Sequence, residues 1–119
     1  MRAKRVYESS KNILKPKSEE EILSHLEELR PNELLLKSSE LRFLPGVKRA
    51  LERGANVHAQ DDRALRRAAE YGHKSIVELL LRAGANVHAR DDYALRWAAE
   101  YGHKEVVELL LKAGAIMPV

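Results

Sequence analysis

The sequence predicts an all-α fold, a solenoid of stacked helix-turn-helix units behind an N-terminal helical cap. Three observations carry that expectation. Residues 61–90 (DDRALRRAAEYGHKSIVELLLRAGANVHAR) and 91–119 (DDYALRWAAEYGHKEVVELLLKAGAIMPV) are nearly the same text, with Tyr71 and Tyr101, Gly72 and Gly102, and His73 and His103 one fixed period apart. Within each copy, apolar residues recur at the three- and four-residue spacing of a helix face. Each copy also closes on a glycine, Gly84 or Gly114, where a helix can stop in a left-handed turn. A unit of about thirty residues cannot bury its own apolar face, so such units must stack.

The elements follow in chain order. Residues 4–14 (KRVYESSKNIL) can form a short helix ended by Pro16. Ser18 and Glu21 form a capping box, in which each side chain satisfies an end amide of the other. Ile22, Leu23, Leu26 and Leu29 then continue on one face until Pro31, which predicts a capping helix within 18–30. Residues 31–60 read as a degenerate unit: aligning Gly54 with Gly84 sets Val47 on Val77, Glu40 on Glu70, Leu35 on Leu65 and Asn32 on Asp62. Ser38 and Ser39 stand there in place of alanines.

In the two regular units, 61–90 and 91–119, Asp62 and Asp92 are placed to cap an inner helix over 63–70 or 93–100. Leu65, Ala68 and Ala69, with Leu95, Ala98 and Ala99, share one face of it, and the alanines admit a close neighbour. Gly72-His73 and Gly102-His103 reverse the chain. Outer helices over 75–82 and 105–112 follow, carrying Ile76, Val77, Leu80 and Leu81, or Val106, Val107, Leu110 and Leu111.

Composition narrows the function. At 119 residues with 45% hydrophobic content, the chain suits one folded domain. It has no cysteine, which excludes disulfides, thiolate catalysis and thiolate zinc sites. No apolar run approaches the ~20 residues that cross a bilayer, and the basic start lacks the apolar core of a secretory signal. An intracellular protein, cytoplasmic or within a host cell, is therefore expected. The pI near 9.3 arises locally. Residues 1–17 carry six basic side chains against Glu8 alone, a net of +5, whereas the remainder holds 15 basic and 17 acidic residues, a net of −2. A polyanion-binding body is not supported, and nucleic acid is not an expected partner.

The text A-L-R-x-A-A-E-Y-G-H-K-x-[IV]-V-E-L-L-L-x-A-G-A, found twice, resembles the ankyrin repeat, whose unit reads T-P-L-H-x-A-A-x-x-G-H-x-x-[IV]-V-x-x-L-L-x-x-G-A. The resemblance covers residues 31–119 as three units. The common unit is about 33 residues long. Here three residues are missing between the Asn-Val-His-Ala turn and the inner helix, which implies a short finger. Such short units resemble arrays of large DNA viruses, phages and some bacteria. Thr-Pro is replaced by Arg63-Ala64 and Tyr93-Ala94, and the motif's histidine by Arg66 and Arg96.

The resemblance implies a non-catalytic module that binds another protein through the concave, inner-helix face. Carried over residue by residue, the contact positions are Arg63, Arg67, Glu70 and Tyr71, with Tyr93, Trp97, Glu100 and Tyr101. The two regular units differ most there, Arg63 against Tyr93 and Arg67 against Trp97, and Tyr, Trp and Arg dominate interface energies. Trp97 serves either as such an anchor or as cover for the end of the stack. Arg66 and Arg96 are expected to bridge to a carboxylate, Asp61, Asp91 or Asp92, and to clamp neighbouring repeats, or else to meet a ligand.

Metal binding and catalysis are not expected, and no cofactor is implied. His58, His73, His88 and His103 recur on stacked units ~8–10 Å apart, too far to share an ion that needs ligand nitrogens at ~2 Å; they read as turn residues bonded to nearby backbone. Asp61, Asp62 and His58 lack an accompanying nucleophile. The apolar end Ile116, Met117 and Val119 either folds back over the last repeat, the preferred reading, or forms an end-on self-association surface on an otherwise monomeric protein. Two alternatives to partner binding stay open: a structural or designed scaffold without a specific partner, and an acidic-surface or nucleic-acid binder acting through the basic leader 1–17.

Overall fold

The computed structural model describes residues 29–116, and among them every regular element is a helix. These are α1 (Pro31–Glu40), α2 (Leu44–Glu52), α3 (Ala59–Glu70), α4 (Lys74–Arg82), α5 (Ala89–Glu100) and α6 (Lys104–Lys112). The basic leader 1–17, with its 4–14 helix, lies outside the described residues. So does the expected 18–30 helix, apart from Leu29 and Arg30, which are not helical.

The helices form three hairpins. Inner helices α1, α3 and α5 stack in one layer and outer helices α2, α4 and α6 in a second. Apolar spacing explains the arrangement: Leu35, Leu65 and Leu95 of the inner layer and Val47, Leu80 and Leu110 of the outer layer are all fully buried. Small residues set the separation. Ala68, Ala69 and Ala98 are buried on the inner helices, where larger side chains would push the stack apart. The first hairpin departs from this. Ser38 and Ser39 are buried, their hydroxyls without a hydrogen-bond partner among the described residues. Gly46 packs in α2 where an added Cβ would collide with Ser38.

The turns repeat as faithfully as the helices. Between inner and outer helix, Gly72 and Gly102 adopt φ of +74°, and Arg42 takes the same left-handed turn in the first hairpin. The His73 amide then reaches back to the Ala68 carbonyl at 2.8 Å. After each outer helix the chain leaves through Gly54, Gly84 or Gly114, all at positive φ. The amides of Ala55, Ala85 and Ala115 bond the carbonyl five residues back at 3.0 Å, which completes a Schellman closure.

The inner helices begin differently from the expected simple cap. Gln60, Asp61 and Asp62 all sit near φ +55°, ψ +45°, and Arg90, Asp91 and Asp92 repeat that geometry, so regular helix starts at residue 63 or 93. A three-residue left-handed turn therefore stands where the short finger was expected. Neither Asp62 nor Asp92 caps its own helix. The Asp62 carboxylate accepts the Asn86 amide at 2.6 Å, from the turn after the outer helix, and His58 Nδ1 at 3.0 Å. Asn32 holds the Asn56 amide at 2.7 Å in the same way, and Asp92 holds that of Ile116 at 2.7 Å. The bond does not require left-handed backbone, because Asn32 makes it from within α1; what the three positions share is a short polar side chain at the start of the inner helix facing the amide that ends the hairpin.

Candidate functional site

The expected contact residues lie along α3 and α5. Tyr93 and Trp97 on α5 and Tyr101 at its C-cap are four residues apart, which places them along one side of the helix. Their rings form a row: centroids are 5.9 Å apart for Tyr93–Trp97 and 5.6 Å for Trp97–Tyr101, with His103 a further 6.2 Å on. Tyr101 is 54% exposed and Tyr71 48%, while Trp97 and Tyr93 are half-buried. Tilted aromatic neighbours at these distances hold each other rigid, so presenting them to a partner costs little rotamer entropy.

The row is tied to α3 through Glu70. Tyr93 donates its hydroxyl to Glu70 Oε1 at 2.6 Å, and Arg67 donates to the same oxygen at 3.2 Å. The hydrogen bond to Glu70, aided by burial, holds the Tyr93 phenol above the usual tyrosine range. Burial works against the Arg67 charge, but Glu70 together with Tyr93, Tyr71 and Glu40 outweighs it, and the guanidinium is more basic than usual. Arg63 meets Gln60 Oε1 at 2.9 Å and Glu40 at 3.5 Å, so both arginines are drawn along the face rather than extended into solvent. Glu100 is exposed, with no side-chain partner among the described residues.

Of the eight expected residues, the structure thus joins Arg67, Glu70 and Tyr93 in one network and aligns Trp97 and Tyr101 beside it. Arg63 lies one helical turn before Arg67. Tyr71 stands apart, tilted over His73 with centroids 5.8 Å apart.

Arg66 and Arg96 do not bridge to carboxylates. Arg66 donates to the main-chain carbonyls of Asp61 and Gln60, both at 2.9 Å, and Arg96 donates to those of Asp91 and Arg90 at 3.0 and 3.1 Å. A left-handed turn leaves its carbonyls projecting together, and a planar fork matches two of them at once. Arg66 also touches the next hairpin: its guanidinium carbon lies 5.1 Å from the Tyr93 ring centre. The role is structural, and Asp-Asp before an arginine four residues on was the sequence signal for it, since aspartate tolerates left-handed backbone.

The histidines are bonded. His103 Nε2 meets the Glu70 carbonyl at 2.9 Å and His73 Nε2 that of Glu40 at 3.3 Å, so each pins the start of an outer helix to the inner helix of the hairpin before it. Burial lowers the His73 pKa, which favours the neutral ring. His58 and His88 bond carboxylates instead of backbone: His88 Nδ1 meets Asp92 at 3.0 Å. For Asp92, burial opposes the charge, yet the Ile116 amide and the His88 ring prevail and lower its pKa. His58, Asp61 and Asp62 line an open depression with Asn86, Ala89 and Arg90, which offers no nucleophile. Among the described residues no three His, Asp or Glu side chains converge as a metal would require, and no helix is long and apolar enough to cross a membrane.

Ile116 does not fold back, being 68% exposed; its amide is held by Asp92 and its side chain points away from the core. Met117 and Val119 lie outside the described residues. Compared with known families, residues 34–118 match the model described as ankyrin repeats, in three copies. No curated protein matches the chain.

Proposed function

Because the chain belongs to the ankyrin-repeat family, whose units generally serve protein–protein interaction and are typically non-catalytic, we propose that it binds another protein through the exposed side chains of its inner helices. The observation that carries this reading is the ring row of Tyr93, Trp97 and Tyr101. An amphipathic aromatic strip held rigid on a helix is the kind of surface that supplies interface anchors. Arg63, Arg67 and Tyr71 extend the contact onto α3, and exposed Glu100 adds a charge at its edge. Glu70 acts within the surface, holding Tyr93 and Arg67.

A few repeats offer a modest area, so affinity depends on the anchors. The test is affinity capture from the native host with the wild-type chain and with a Trp97→Ala, Tyr101→Ala variant. These two are chosen because Tyr93 also fastens the hairpins together. A partner held by the wild type should lose at least about 30-fold in affinity, the scale of removing a hot-spot residue worth about 2 kcal/mol. Retention of that partner by a folded variant refutes the assignment.

A further inference from the structure

The two seams between the three hairpins are not equally tied. Between the second and third hairpins, Arg90 reaches Asp61 at 3.0 Å, Tyr93 reaches Glu70 at 2.6 Å, His103 meets the Glu70 carbonyl at 2.9 Å and Glu105 meets Lys74 at 3.1 Å. Thirty residues earlier, the same register joins the first hairpin to the second. There Arg63 reaches Glu40 at 3.5 Å and His73 meets the Glu40 carbonyl at 3.3 Å, both longer. Gln60 with Pro31, and Ser75 with Leu44, stand where the other seam has its two ion pairs.

Ser75 is the position at which a charge can be added. It is the second residue of α4, as Glu105 is of α6, and it is exposed. Glu105 gives α6 an acid in its first turn, and α4 has none. A negative group there meets the free amides and positive end of the helix. A cation also waits. Arg42 lines the same depression as Ser75, together with Leu44, His73 and Lys74. Its guanidinium is close enough to disfavour a charge on His73, and it has no side-chain partner among the described residues. Glu105 borders the depression too, but its charge is already paired with Lys74. No other residue competes as an acceptor: the chain has no threonine, and Ser38 and Ser39 are buried.

We propose that Ser75 is a phosphorylation site and that Arg42 receives the phosphate, giving the first seam the tie between acid and cation that Glu105 and Lys74 give the second. The donor is ATP, delivered by a serine kinase. Ser75 Oγ attacks the γ-phosphorus, and the new O–P bond replaces the bridging bond to ADP. ADP leaves with that electron pair, and the hydroxyl proton passes to the base of the kinase. The product carries close to two negative charges and three acceptor oxygens, more than the carboxylate it imitates. Glu108 lies three residues after Glu105 just as Glu78 lies three after Ser75, so the helix already accommodates such a spacing of acids.

Two measurements on the full chain test this. In a lysate of the native host supplied with labelled ATP, phosphate is expected on Ser75 and should disappear in Ser75→Ala. No label, or label that survives that substitution undiminished, overturns the proposal. In the second, phosphoserine is installed at position 75 during translation and urea unfolding is followed at low ionic strength. The midpoint should rise by about 0.5 M. The same comparison in Arg42→Gly, which carries the residue of the other two hairpins at that turn, should keep less than half of the rise. An unchanged or lowered midpoint, or an equal rise in both backgrounds, overturns the assignment.

Discussion

Replacing Arg66 by alanine tests whether the left-handed turn depends on a guanidinium. Three successive residues near φ +55° each carry a penalty of about 1–2 kcal/mol for an L-residue. Two charge-assisted bonds to their carbonyls, both 2.9 Å long, contribute about 1.5–3 kcal/mol each at the buried limit. The cation over the Tyr93 ring adds about 0.5–1 kcal/mol. Arg66 is 8% exposed, so water replaces these contacts poorly, and Arg66→Ala should cost about 3 kcal/mol. Arg96 makes the same two bonds at an exposed site, without a ring above it. Water can satisfy its freed carbonyls, so Arg96→Ala should cost about 1 kcal/mol. Urea unfolding of both variants, read as a shift in midpoint at constant slope, measures the difference. Equal losses, or an Arg66→Ala variant within about 0.5 kcal/mol of wild type, would refute the reasoning. A lysine at 66 should recover less than half, because a point charge cannot span two carbonyls.

Two further outcomes are expected. Tyr93 is bonded to Glu70 and its phenol is held above the usual range, so the protonated phenol favours the folded state; that contribution is complete below the unfolded value of about 10 and disappears as pH rises through the folded one. Spectrophotometric titration of Glu70→Gln should show an earlier alkaline transition than wild type, and an unmoved curve would show that Glu70 does not govern Tyr93. Gly72 and Gly102 share φ of +74°, but a Cβ on Gly72 would come within 2.6 Å of the His103 ring whereas one on Gly102 meets open space. Thermal melts should therefore show Gly102→Ala losing about 1 kcal/mol from backbone alone and Gly72→Ala losing at least twice that.

Much of the fold was legible because periodicity is a strong signal. Leu65 and Leu95, Ile76 and Val106, and the stops at Gly84 and Gly114 all read directly from spacing, and the faint unit was found by carrying the same register back to Leu35 and Val47. What spacing could not supply was backbone handedness or long-range closure. Asp62 looks like a cap in any one-dimensional reading. Its actual bond, to an amide 24 residues on, joins the start of the hairpin to its end, a long-range closure that no apolar pattern encodes. Arg66 was misread for the same reason: a nearby carboxylate is the usual partner of an arginine, yet here the geometry offers two carbonyls. For the candidate surface, the sequence identified which residues vary between units. It did not separate Glu70 and Tyr93, which hold the hairpins together, from Trp97 and Tyr101, which lie along the surface. That distinction rests on hydroxyl and carboxylate positions across a seam, visible only once α3 and α5 are side by side.

The bond from Asp62 to the Asn86 amide makes each hairpin a self-fastened parcel whose two ends emerge in matching environments. Duplicating such a parcel in frame leaves every tie inside it intact and presents the newcomer with a neighbour it already fits. Length can thus be inherited by copying rather than by rewriting, and the close likeness of 61–90 and 91–119 is what that economy would leave behind.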